Sequence, residues 1–585
     1  MIVLGIADGH TATASLLNNG TIVGMISEER LSRKKGCGGV PAESVRQLLR
    51  ISGTKGKDID LVAVSSIVQP VFDLREADAS LLRRSVRAFS RLTPGNILAS
   101  DAVVRNYVRH FGARRDQSGI RRLLDEIGCD RSRIRIVEHH TCHAATAYYL
   151  APFFSPDKET LVFTVDGSGD GLSATVSKCR GFEMERVHSI PSYHSIGEFY
   201  MRLTQFMGMK PLEHEYKVMG LAPYAPSEWT DKAFDVMKNF YRVTPDGLSF
   251  ENTSGRWGRD LLVLLEDSLR GHRFDCIAAA AQRLVEEIVV PFVQNWVAKT
   301  GIKRIACAGG VFMNVKMNML ISQVPGIDDL FLMPSSGDES TALGASLHAY
   351  AVESRTRGVT PALQPLDNLY LGTEYNSEET LAELEKHRGE LEWERPQSIA
   401  DAAAGLLAKN KILGRLAGRM EWGARSLGNR TILANPSDPR NVRNINRAIK
   451  MRDFWMPFCP TILHERRHDY TINPRDLPAK YMINAFSSTP LAFDELICGL
   501  HPFDLTCRPQ FLTERENPGF YAIVKAFEKR TGIGGVLNTS FNLHGEPIVE
   551  SPADAIWTFL RSEIDHLVLT DYLVSKKNRD EKHSS

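Results

Sequence analysis

The sequence predicts an α/β protein of two domains, the first of them internally duplicated. Three observations carry this. The chain has 585 residues, more than one hydrophobic core usually serves. Two segments share one plan, "MIVLGIADGHTATASLLNNGTIVGMISEERLS" from Met1 and "LVFTVDGSGDGLSATVSKCRGFEMERVHSI" from Leu161. After residue 351, "VESRTRGVTPALQPLDNLYLGTEYNSEE" gathers Pro, Gly and polar residues, and a second α/β pattern follows it.

Each repeat opens with an apolar β-type run and an Asp-Gly turn, at Asp8 or Asp166. A second strand, a Gly-containing turn and a third strand follow. Asp-Gly alone is a common hairpin turn, but the match extends past it, which favours duplication into two facing lobes. Between the repeats, "SLLRRSVRAFSRL" and "VVRNYVRHFGARRDQSGIRRLLDEI" alternate basic and apolar positions at helical spacing. They read as amphipathic helices with solvated faces, a surface for an acidic substrate being the sharper alternative. In "EHHTCHAATAYY", His139 and His143 share one face of a helix. Residues 271–300 form a long helix interrupted by Gln282, Arg283, Glu286 and Glu287, so it is a core helix rather than a membrane span. "RIACAGGVFMNVKMNMLIS" and "DDLFLMPSSGDESTALGASLHAY" each give strand, turn, helix. The expected division is a first domain over 1–355, a linker over 356–385, a second domain over 386–575 and a disordered tail over 576–585.

Composition excludes several function classes. A hydrophobic fraction of 43% and a net charge of +1 describe a globular chain with no general attraction to nucleic acid or an anionic membrane. Nine cysteines, an odd number without a CxxC pair, fit reduced thiols and a cytoplasmic location. The apolar start lacks a basic leader and reaches Asp8 early, unlike a signal peptide. Oligomeric state has no signature in this pattern.

His139 and His143 with Asp166 and Asp338, each carboxylate in a turn of the repeated domain, suit Fe2+, Mn2+ or Zn2+ with open positions. On spacing alone, capped and satisfied histidines are the commoner outcome. "HERRH" at 464–468 matches the zinc-protease HExxH pattern, but Arg466 and Arg467 would repel a dication, so it reads as a solvated turn. The Gly56-Lys57 pair is followed by Asp58, so there is no Walker A loop. Arg419, Arg425 and Arg430, then Lys450 and Arg452, then Asn538, Ser540 and Asn542 offer the cations and hydrogen-bonding groups that a triphosphate needs without a glycine loop.

Seven motifs stand in order along the chain: "HHTCHAATAYY", "EYKVMGLAPY", "GGVFMN", "GDESTALGAS", "GRMEWGARSLGNRTILANP", "MPFCPTIL" and "NTSFNLHGEPIV". Together they resemble the signatures of the NodU/CmcH carbamoyltransferases, over residues 1 to about 570. The resemblance implies an actin/Hsp70-like (ASKHA) duplicated domain followed by a YrdC-like domain. It implies that the second domain makes carbamoyladenylate from carbamoyl phosphate and ATP, with Mg2+. The first domain would then pass the carbamoyl group to a hydroxyl of a small-molecule acceptor, a natural product or a sugar. By the same resemblance His139, His143, Asp166 and Asp338 hold a metal, iron(II). His10 is the candidate general base, and the ordinary imidazole pKa suits that task. Lys35 contacts the carbamoyladenylate, and Glu215, Lys217, Gly310 and Asn314 line the nucleotide pocket. Arg425, Lys450, Arg452, Asn538, Ser540 and Asn542 hold ATP and carbamoyl phosphate, and Arg508, in "TCRPQF", clamps the transferring group. Two positions depart from the family pattern: Thr11 follows His10 where an Asp is usual, and Met456 precedes "PFCP" where an Arg is usual. The rival readings are a fused tRNA threonylcarbamoyl transferase and a non-catalytic nucleotide-binding scaffold.

Overall fold

Strands β1 (Ile2–Ala7), β2 (Thr13–Asn18) and β3 (Thr21–Ser27) form antiparallel hairpins, while β4 (Leu61–Ser65) and β5 (Ile134–Val137) extend the sheet in parallel from β1. The β2–β3 turn is Asn19-Gly20, both at positive φ, as a tight two-residue hairpin needs. These elements belong to a computed structural model that describes residues 1–70, 93 and 95–577. The arginine-rich stretch 80–92 and most of the expected tail, 578–585, lie outside the described residues.

A second sheet repeats the first. β6 (Thr160–Gly169), β7 (Leu172–Arg180) and β8 (Glu183–Pro191) are antiparallel; a small ribbon of β9 (Tyr241–Val243) and β10 (Phe250–Asn252) stands apart; β11 (Arg304–Ala308) and β12 (Asp329–Leu332) run parallel to β6. The sheet orders are β3-β2-β1-β4-β5 and β8-β7-β6-β11-β12, the same path with the same strand directions. This duplicated topology is the actin/Hsp70-like arrangement expected. One detail differs from the sequence reading. The turn of the second repeat is Asp170-Gly171, both at positive φ, and Asp166 lies upstream within β6, where the register shifts between Val165 and Gly169.

Helices His139–Tyr149 and Thr341–Thr356 pack together at the heart of this unit. Gly344 makes the contact possible: a Cβ there would stand 1.9 Å from the Cys142 carbonyl oxygen. The long helix Phe274–Thr300 buries Ile288, Val289, Phe292 and Val293, while Arg283 and Glu287 pair on its exposed side. Among the described residues no helix is long and apolar enough to cross a membrane.

The other unit is a mixed α/β layer structure. Its strands are β13 (Leu391–Glu394), β14 (Leu413–Leu416), β15 (Arg430–Ala434), β16 (Cys459–Leu463), β19 (Gln510–Leu512), β20 (Gly535–Ser540), β21 (His566–Leu569) and β22 (Tyr572–Lys576), with a separate ribbon of β17 (Thr471–Ile472) and β18 (Ser487–Ser488). The order is β13-β22-β21-β14-β15-β20-β16-β19. Alternation builds two cores. Leu433, Val536 and Val568 face helices Ile399–Ala408 and Pro518–Thr531, whereas Ile432, Leu537 and Leu567 face helices Ser377–Glu385 and Pro552–Leu560.

The chain divides between Leu366 and Asp367, and residues Glu29–Lys35 belong with the second unit. The segment 356–385, expected as a linker, therefore needs correction. It contains the helix Ser377–Glu385, which opens on a capping box between Asn376 and Glu379 and buries Thr380 and Leu384. "NSEE" carries this helix start, and the polar composition that suggested a linker is that of a capped first turn.

Candidate active site and metal centre

The helix His139–Tyr149 begins where Glu138 accepts from the Thr141 amide at 2.7 Å and Asp170 accepts from the His139 amide at 2.8 Å. Fixing that first turn aims His139 and His143 at β6 and at the short turn before helix Thr341–Thr356. His139 Nε2 lies 2.9 Å from Asp166 Oδ2 and 3.6 Å from Asp338 Oδ1. His143 Nε2 lies 3.6 Å from Asp166 Oδ2 and 3.5 Å from Asp338 Oδ1. One ligand atom from each of the four residues falls within 4.8 Å of the others. Among the described residues, this is the one such grouping of three or more His, Cys, Asp or Glu side chains.

The donor set fits a divalent cation. His143 Nε2 is fully buried and makes no hydrogen bond, although it points between two carboxylates. Burial disfavours the charged imidazole, yet Asp338 and Asp166 push His139 up to about 10 and raise His143, while the Asp166 carboxyl is held well below its usual range by the two histidines against the effect of burial. His140 is different. Burial, then the charge of His139, pushes it down to about 3, and its Nδ1 pairs with Thr164 Oγ1 at 2.8 Å. It is a neutral core histidine rather than a ligand.

His10 Nδ1 stands 3.5 Å from Asp338 Oδ2. Glu215 and Glu339 are close enough to feel its charge, and burial raises both carboxyls, Glu215 to about 7. Gly310 donates its amide to Asp166 Oδ1 at 2.9 Å, so it anchors one carboxylate of the four-residue grouping. Asn314 caps helix Val315–Ile321 and pairs with Gln282 at 2.8 and 3.0 Å. Lys217 is half-buried on helix Glu215–Leu221.

A second cluster lies in the other unit, where β20 ends and β16 begins. The segment Asn446–Lys450 closes as a π-helical turn into left-handed Met451, an irregularity common at functional sites. It buries Lys450, whose Nζ donates to Ser540 Oγ at 3.0 Å and Asn542 Oδ1 at 2.7 Å. Burial, then the charges of Arg452 and Lys35, lowers the Lys450 ammonium well below its usual range. Arg452 donates to Thr539 Oγ1 at 2.9 Å. Arg508 donates from Nη2 and Nε to Cys459 Sγ at 2.9 and 3.3 Å. The register of β19, β16 and β20 brings Arg508, Cys459 and Thr539 to the same end of the sheet.

Three sequence expectations change here. Arg430 is fully buried and donates to the carbonyls of Glu550, Ala417, Gly418, Asn429 and Thr373. Arg419 donates to the Gly372 and Leu371 carbonyls, whereas Arg425 is partly exposed in the loop before β15. Asn538 is buried with its amide engaged by Thr431, Thr461, Ser426 and Gln510, a support within the sheet rather than part of the Lys450 cluster. The "HERRH" residues, expected as a solvated turn, lie in a short helical turn where Arg467 holds Asp476 at 2.7 Å and His468 lies 3.2 Å from it. Sequence reading missed Ser66, whose Oγ lies 3.1 Å from His139 Nδ1, and Asp170. The second Asp-Gly of "DGSGDG" was the available signal for Asp170.

Comparison with known proteins agrees with this two-part organisation. Residues 2–347 match the family described as Carbamoyltransferase N-terminus, and residues 404–576 match Carbamoyltransferase C-terminus. Nodulation protein NolNO of Sinorhizobium fredii is 31% identical over 580 residues, covering 97% of this chain and 79% of that protein. An uncharacterised protein of Methanocaldococcus jannaschii is 32% identical over 587 residues, 98% of this chain and all of the relative. Among solved structures, a ROK hexokinase from Thermus thermophilus aligns over 61% of this chain and 100% of its own, at 16% identity and a TM-score of 0.28. Matched in both halves and along nearly its whole length, the chain belongs to the NodU/CmcH carbamoyltransferase family.

Proposed function

We propose that the protein is an ATP-dependent O-carbamoyltransferase that works in two steps on a hydroxylated small molecule. In the second unit, carbamoyl phosphate, ATP and one water give carbamoyladenylate, phosphate and pyrophosphate. The observation that carries this is Lys450, buried with its ammonium bonded to Ser540 and Asn542 and with the charges of Arg452 and Lys35 near enough to lower it, an arrangement that a bound polyanion stabilises. Ser540 and Asn542 orient the Lys450 ammonium, and Arg508 holds the transferring group. Mg2+ accompanies the ATP.

In the first unit the acceptor hydroxyl attacks the carbamoyl carbon. Its oxygen bonds that carbon, the bond to the adenylate oxygen breaks, and the electron pair leaves with AMP. His10 takes the hydroxyl proton, with Asp338 at 3.5 Å orienting the imidazole. His139, His143, Asp166 and Asp338 would hold a divalent cation, iron(II) by family resemblance, which when bound supplies Lewis-acid polarisation of the carbonyl. Glu215 and Lys217 lie on the helix that follows His214, and by family resemblance they line the nucleotide side of this site.

The test is carbamoyl-phosphate-dependent pyrophosphate release from ATP by the purified protein. Arg508→Ala should abolish it, and His139→Ala should leave it intact while preventing carbamoylation of an added hydroxylated acceptor. Release supported by threonine and bicarbonate, but not by carbamoyl phosphate, would replace this reading with threonylcarbamoyl chemistry.

A further inference from the structure

The two ring nitrogens of His139 face different surroundings. Nε2 points at Asp166 and Asp338; Nδ1 is 3.1 Å from Ser66 Oγ. Ser66 is buried at the end of β4 and holds a left-handed backbone, φ +69°, that a serine rarely adopts. Its loop is tied down from the opposite half of the duplicated unit. Asp170, itself at φ +49° in the β6–β7 turn, accepts from the amides of Ile67 at 2.9 Å, Val68 at 2.7 Å and His139 at 2.8 Å. One carboxylate therefore locks both the Ser66 loop and the first turn of the histidine helix.

We infer that Ser66 is a positioning residue for the metal centre, its hydroxyl accepting from His139 Nδ1–H so that the Nε2 lone pair faces the cation, with Asp170 as the clasp that keeps Ser66 in place. Metal-bound imidazoles generally need such a partner on the second nitrogen, because it fixes both tautomer and ring angle. The strain supports this reading. A left-handed serine persists only where surrounding bonds over-determine it, and those bonds converge on His139. His143 carries a looser version of the same feature, with Ser340 Oγ 3.5 Å from its Nδ1.

This inference rests on the metal reading above, and the experiment separates the two. Anaerobic competition of Fe2+ between the full-length protein and a chelator gives the affinity; thermal unfolding gives stability. Ser66→Gly suits the +69° backbone and removes the hydroxyl, whereas Ser66→Ala removes the hydroxyl and keeps the strain. Both should weaken Fe2+ binding by roughly tenfold or more, with Ser66→Gly unfolding no earlier than the native protein. Native affinity in Ser66→Gly would overturn the proposal, as would a loss confined to Ser66→Ala, which would trace the effect to the backbone. If the unaltered protein takes up no Fe2+, or His139→Ala binds it equally well, the metal reading itself fails.

Discussion

Glu215 shows how a half-buried group becomes measurable. Its carboxyl is raised from 4.5 to about 7, so between those values the folded protein binds a proton that the unfolded chain releases. Stability contributed by this group is therefore present below pH 4.5 and lost as pH rises towards 7. Glu215→Gln should leave the ligand-free protein more stable at pH 8 by about 2–3 kcal/mol, and the gain should vanish near pH 4.5; paired thermal melts across that range check it. At this scale the shared face of His139 and His143 is legible in the sequence, because imidazoles four apart share a helix face whatever surrounds them, whereas their meeting with Asp166 and Asp338 was implied by the ordered family motifs and not by spacing. Ser66 is not legible, since nothing in "AVSSIV" marks a serine at positive φ. Nor does sequence separate Arg430, engaged by five carbonyls, from an arginine that meets a phosphate.

At the scale of elements, the approach of helices His139–Tyr149 and Thr341–Thr356 sets the distance between the histidines and Asp338. Gly344 is the pivot of that approach. Gly344→Val would put carbon on the Cys142 carbonyl, forcing the helices apart at about 3 kcal/mol or more and weakening Fe2+ binding; melting temperature and chelator competition report both. The repeated sheet was readable from two copies of a strand–turn–strand pattern. The helix Ser377–Glu385 was not, because a capping box and a polar linker share the same composition. The turn at Asp170-Gly171 was displaced for a related reason: "DGSGDG" offers two Asp-Gly pairs, and only the strand register decides between them.

On the scale of the whole molecule, each unit carries its own polar cluster, so ligands of one should act independently of ligands of the other. Inorganic phosphate at about 100 times its dissociation constant should stabilise the native protein by about 2.7 kcal/mol. Lys450→Ala should lose that gain and retain the stabilisation by Fe2+, while His139→Ala should do the reverse. Phosphate protection that survives in Lys450→Ala would place the anion elsewhere.

The short excursion of residues Glu29–Lys35 sets a limit on how this polypeptide is built. Arg30 donates to the Gly423 carbonyl and Arg33 to those of Pro547 and Ile548, so the carboxy-terminal half is completed by a strip from near the amino terminus. During synthesis that strip leaves the ribosome hundreds of residues before the partners it binds and must wait for them. A cut after Leu366 therefore cannot release the second unit intact, because that fragment would lack the strip and its three anchoring bonds.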